Sequence, residues 1–247
     1  GTANVAVGKD ALLANTTGSS NVAVGMDALT ANTTAANNTA VGGNALKANT
    51  TGAQNTAVGG RSQEATTTGS DNTSIGWGSL ILNTTGTSNT VLGRSALAAN
   101  TTASYNTAVG RLSLLANTTG ASNTAIGVSA LTANTTGTLN TAFGSGAGAP
   151  ITTGIQNTVS GGNAGAISTG DNNTCLGVYT SGGAVSTGDY NTAVGYASQF
   201  ELTSGGNNTA VGMDSMRGGS PSGSITTQSN LVCIGNNSVT AAYIKVA

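Results

Sequence analysis

The chain has 247 residues, 38 of them glycine, no histidine, and a formal net charge of -1. Charged residues make up 6% and aromatics 3%, where a soluble protein usually carries about 25% charge. Disorder driven by self-repulsion and a surface that neutralises a run of phosphates are both excluded, and no run of about 20 apolar residues exists to cross a bilayer as a helix.

Along the chain a block Asn-Thr/Val-Ala-Val-Gly begins at Asn4, Asn21, Asn38, Asn55, Asn72, Asn89, Asn106, Asn123, Asn140 and Asn157, always 17 residues apart. Steps of 16, 18 and 17 follow, to Asn173, Asn191 and Asn208, and a last variant runs Asn230-Leu-Val-Cys-Ile-Gly235. A second block, Asn-Thr-Thr-Gly, keeps the same period at Asn15, Asn49, Asn83, Asn117 and Asn134, with Ala replacing the Gly after Asn32 and Asn100. Numbered from its first Asn, the unit reads N-T-A-V-G-x-x-A-L-x-A-N-T-T-G-x-x.

Seventeen residues are too few for a helix pair, whose repeats run about 33 residues or more. Thr, Val and Ile favour strands, whereas Asn and Gly favour turns. The unit therefore predicts one coil of a parallel β-solenoid, with two short strands and two turns. At about 4.8 Å per coil, some fourteen coils make a rod roughly 65 Å long. Residues 1–144 hold the regular repeats, 145–212 a degenerate continuation, and 213–247 a loop insertion and terminal coil.

Individual columns refine this expectation. Position four (Val7, Val24, Val41, Val58, Ile75, Leu92, Val109, Ile126, Phe143) reads as an inward apolar column, with its neighbours outward by alternation. Position nine adds a core of Leu12, Leu29, Leu46, Leu80, Leu97, Leu114 and Leu131. Position five is Gly in every block, including Gly8, Gly25, Gly42, Gly59 and Gly110, as one repeated tight turn requires. Asn opens all fourteen blocks, including Asn4, Asn21, Asn38, Asn55 and Asn106, and stacked Asn side chains bond along a ladder. Leu13, Ile81 and Leu115 at position ten then point outward, and a repeated apolar stripe on a rod implies lateral association.

Tandem NTAVGxxAL and ANTTG blocks resemble the head repeats of trimeric autotransporter adhesins, which carry S-x-A-I-G units in slightly shorter coils. The 17-residue version is still more similar to repeats in bacteriophage tail fibres and related surface fibres. The resemblance covers residues 4–212 tightly and 213–247 more loosely. It implies an all-β, left-handed parallel β-roll assembled as a homotrimer. Residues 229–247, from Ser229-Asn-Leu-Val-Cys-Ile-Gly onward, are similar to the stretch before an endosialidase-type intramolecular chaperone. That family trimerises its fibre and then cuts the chaperone away near such a boundary.

Chemistry is sparse. Without histidine the commonest general base is missing. Of the eight carboxylates, Asp10 and Asp27 share position seven in adjacent coils, and Glu64 and Asp71 lie in one coil. A glycosidase needs two carboxylates about 5–9.5 Å apart and calcium six to eight oxygens. Solvated surface charge is the expected role, so no catalytic residue, metal or cofactor is expected. Gly144-Ser-Gly-Ala-Gly148 and Gly161-Gly-Asn-Ala-Gly165 lack the Lys-Ser/Thr and helix of a phosphate loop and read as coil corners. Sequons such as Asn15-Thr-Thr are products of the repeat. Cys175 and Cys233 form no metal or disulfide pattern and read as small core residues.

The expected recognition surface lies where the period breaks, at 145–190 and 213–229, together with exposed aromatics. Trp77, Tyr179, Tyr190, Tyr196, Met213, Met216 and Arg217 are the candidates, Tyr105 being a further ring able to stack on sugars. The function expected is a non-enzymatic structural fibre of a phage tail or virion appendage that attaches to a host-surface glycan or protein receptor. Its partners would be two further copies and other fibre, tail or baseplate proteins, with no nucleic acid and no membrane insertion by this segment. The alternative is the head of a bacterial cell-surface adhesin. Ice binding ranks third: it wants outward threonines one residue apart on a strand, and the Thr-Thr pairs lie in a turn-like block.

Overall fold

The computed structural model describes residues 1–181, 187–199, 201–216 and 226–236. Fourteen strands of three residues each, from β1 (Val5–Val7) to β14 (Val232–Ile234), form one parallel sheet in strict chain order. Every coil sits in register on the one before it, as in Thr39↔Thr56, Ala40↔Ala57 and Val41↔Val58. The expected parallel β-solenoid is what the chain forms, with one strand per described coil instead of two.

Position five ends the strand. Gly59 has φ 130°, and a Cβ there would lie 2.6 Å from the Gly76 carbonyl oxygen one coil on. Both the dihedral and the contact exclude any side chain. The rest of the coil is not extended, yet it is still hydrogen-bonded coil to coil. In the coil from Asn106 to Ser122, Leu112 N–H donates to Arg94, Leu114 to Ala130, Ala116 to Thr132 and Thr118 to Thr135 carbonyls, at 2.9–3.2 Å. Coil-to-coil bonding thereby continues well beyond the three-residue strand, and the short strand is no weakness.

The strand faces the opposite way from the sequence expectation. Position three is buried, from Ala23, Ala40 and Ala57 to Val91 and Ala108, while position four points outward. Val41 and Val58 are half-buried, and Leu92, Phe143 and Ile75 are exposed. The lumen explains this reversal. Leu46, Leu97 and the other position-nine leucines cross it with 0% exposure in all but the first coil. Alanine-sized groups at positions three and eight fill what remains. A valine at position three in every coil would overfill so narrow a core.

These leucines are held with φ near 50°, for example Leu46, Leu97 and Leu114. A left-handed conformation costs a non-glycine residue about 1–2 kcal/mol, and burying a leucine returns about 1.5–3 kcal/mol. Burial wins. Where position nine loses its leucine the core is refilled from elsewhere. A Cβ on Gly148 would meet Ile151 Cδ1 at 3.1 Å, and Ile151 occupies a position that is Asn in regular coils. Leu202 does the same beside Gln199, and both are buried.

Asparagine supplies two buried ladders. At position one, Asn106 N–H donates to Asn89 Oδ1 (3.0 Å), and Asn106 Oδ1 accepts from Asn123 N–H (2.9 Å). Its amide crosses the coil to the Gly120 carbonyl at 3.0 Å. At position twelve, Asn49 Nδ2 donates to Asn32 Oδ1 (3.1 Å) and to the Gly52 carbonyl (2.9 Å). The last coil departs from the expectation: β14 pairs Val232 with Thr209, so position one there is Leu231, and Asn230 stands in position seventeen of the coil before. Gly235 keeps position five, its N–H donating to the Val211 carbonyl.

Candidate attachment faces

Three tracks of outward side chains bear on attachment. The strand face carries positions two and four. Position two is Thr in eleven consecutive strands, β3 (Thr39–Val41) to β13 (Thr209–Val211). Position four is apolar in every strand except Thr158–Ser160. The second track is the Thr-Thr segment. There Thr118 Oγ1 donates to the Thr135 carbonyl at 3.1 Å, while Thr119 is exposed. The adjacent threonines do not share a face.

Neither of these tracks bears a charge in any described coil. Among the described residues, charged side chains are confined to positions six, seven, ten and eleven and to the corner just before the next Asn. At that corner Asp171 and Asp189 serve the backbone: Asp171 Oδ1 accepts from Ile155 N–H and Asp189 Oδ1 from Asp171 N–H, both at 2.8 Å. Asp10 and Asp27 do not pair with one another but with Lys9 (3.7 Å) and Lys47 (3.1 Å). Glu64 pairs with Arg61 at 2.7 Å, and Asp71 is exposed. No three His, Cys, Asp or Glu side chains gather among the described residues, and no helix there is long and apolar enough to cross a membrane.

The third track, position six, carries Trp77 and Tyr196. Trp77 is 50% exposed, its indole lying against Gly60 of the preceding coil, with the Arg94 guanidinium 5.6 Å from the ring centre. Tyr179, at position seven, meets Tyr196 edge to face at 6.1 Å, and both are exposed. Tyr105 and Tyr190 occupy position seventeen with φ near 60° and are exposed. Met213 is exposed at position six. Met216 is fully buried in the core beside Leu202 and Ala210, so it is not a recognition residue. Arg217, like most of the 213–229 insertion, lies outside the described residues. The Gly144–Gly148 and Gly161–Gly165 stretches are coil corners with positive φ at Gly144, Gly146, Gly148, Gly161 and Gly165.

Buried polar groups are structural. Ser62, Ser74 and Ser79 hydroxyls bond to one another at 2.7–3.3 Å and to the Ser74 and Gly76 carbonyls. Cys175 and Cys233 are buried at position three. Burial pushes the Cys175 thiol up to about 11, which the Ser181 hydrogen bond only partly offsets. Sequence reasoning missed the Arg94–Trp77 contact. One signal was available: both residues follow position-five glycines in adjacent coils. Comparison with protein-family models, curated proteins and solved structures finds no match in any of the three.

Proposed function

We propose that this chain is the self-associating shaft of a non-enzymatic fibre, a homotrimer joined through the strand faces. In this reading it extends an attachment surface from a virion tail or comparable appendage toward a host envelope. The observation that carries it is the outward apolar column at position four. Thirteen of the fourteen strands contribute to that column. A buried aliphatic side chain is worth about 1.5–3 kcal/mol at about 25 cal/mol per Å², hence about 60–120 Å². Half of that over thirteen residues is about 400–800 Å², and the neighbouring position-two methyls bring it to the roughly 800 Å² per partner of a standard interface. A threefold axis along the rod lets each chain present the same stripe to the others, a closed arrangement without unbounded growth.

Light scattering on the purified chain tests this: a trimer is expected, and Ile75→Lys with Leu92→Lys should return a folded monomer. A wild-type rod that stays monomeric at high concentration overturns the proposal. A second reading has one specific observation behind it. The uncharged strand face sets Thr at position two in eleven consecutive strands, beside a position-four side chain that is aliphatic in all but Thr141–Phe143 and Thr158–Ser160, a regular lattice suited to ordering water. Thermal hysteresis from a monomeric rod would move the function to ice binding.

A further inference from the structure

From residue 72 to residue 170 the sequence contains no Asp or Glu, and its only charges are Arg94 and Arg111. Both stand at position six of adjacent coils, about 4.8 Å apart along the rod, and both are exposed. Among the described residues neither is in an ion pair. Like charges in register on neighbouring coils repel, as they do across paired strands, so the pair is unfavourable unless an anion lies across it. The single tryptophan of the chain occupies the next position six, with half its surface open and Arg94 over its ring. Below it Gly60 and Gly43 leave the track without side chains. A Cβ on Gly43 would have no neighbour nearer than 4.0 Å.

We infer that this strip, Gly60–Trp77–Arg94–Arg111, binds an acidic saccharide. The exposed half of the indole packs on the apolar face of a pyranose ring, and the two guanidiniums donate charge-assisted hydrogen bonds to carboxylates of the same saccharide. Trp77 to Arg111 spans two coils, roughly 10 Å, room for about two sugar units. A lone phosphate would leave the indole unused. A nucleic acid would need more cations than the 7 Lys and Arg this chain spreads over its length, because its affinity comes from neutralising many phosphates. The inference deepens the attachment reading and takes only its biological setting from it. Binding is measured on the rod itself and association separately.

The test uses the whole chain with three acidic probes, tetragalacturonate, a mannuronate tetrasaccharide and an oligosialic acid, at low salt. The sole tryptophan reports by fluorescence, and calorimetry follows variants that lack it. At least one probe should bind saturably and weaken as salt rises. Arg94→Gln or Arg111→Gln should weaken it about tenfold, as loss of one charge-assisted bond implies. Trp77→Ala should abolish it, and the methyl-esterified form of the probe should bind at least tenfold more weakly. All three sites are exposed, and circular dichroism confirms each variant's fold. The inference fails if no probe binds, if the ester binds equally, if folded Trp77→Ala binds unchanged, or if an oligodeoxynucleotide of equal charge binds as tightly. Light scattering on the same samples separates the two ideas. A monomer that binds keeps the site and removes the fibre, and a trimer that binds nothing does the reverse.

Discussion

Replacing Asn106 with alanine tests the buried ladder at one rung. The side chain makes two bonds: its Nδ2 donates to the Gly120 carbonyl, and its Oδ1 accepts from Asn123 N–H. The Gly120 carbonyl keeps a second donor, Asn117 Nδ2 at 2.9 Å, so its loss is modest, about 1 kcal/mol. Asn123 N–H has no such reserve, and an orphaned buried donor costs about 1–3 kcal/mol. Together the substitution should destabilise the rod by about 2–4 kcal/mol, read by urea unfolding. The exposed Thr102→Ala control should stay within about 0.5 kcal/mol. Hydrogen exchange gives the sharper readout, because the ladder is directional. The Asn123 amide should exchange about 5- to 150-fold faster, while the Asn106 amide, still bonded to Asn89 Oδ1, keeps its protection. Equal acceleration of both amides, or of neither, would refute the rung-by-rung account.

Gly59→Ala combines a forbidden dihedral with a Cβ 2.6 Å from the next coil's carbonyl and should cost about 2–5 kcal/mol in thermal or urea unfolding. A loss under 1 kcal/mol would show that the stack opens easily. The Cys175 thiol is neutral when folded up to about pH 11, against 9.0 for an ordinary thiol. Between those values the unfolded chain sheds this proton and the folded chain does not, so stability should fall as pH rises through that window. The loss is on the order of 2–3 kcal/mol. Cys175→Ala, which places at position three its commonest residue, should remove this part of the alkaline loss, and identical profiles would contradict it. If the strand face is closed in a trimer, freezing-point assays at high concentration should give no thermal hysteresis.

Much of this architecture was legible in the 17-residue period alone. The period dictates stacked parallel coils, the invariant Gly marks the corner, and the leucines of position nine mark the core. Two short blocks of Asn announce ladders, since a polar residue repeated at one height finds itself as neighbour. Alternation could not say which side of Thr-Ala-Val faces in, because both assignments satisfy a period of two. Only the filled lumen decided it. Leucines crossing from the opposite wall leave room for alanine and send Val41, Val58 and Leu92 outward. The left-handed backbone at those leucines carries no sequence mark, since burial rather than propensity pays for it. Coil register was equally a tertiary matter: Leu231, not Asn230, occupies position one of the last coil because Gly235 and the strand pairing outweigh a single Asn. The substitution of Ile151 for a missing leucine follows from volume across the coil. The meeting of Trp77 with Arg94 follows from stacking residues 17 apart in sequence into neighbours.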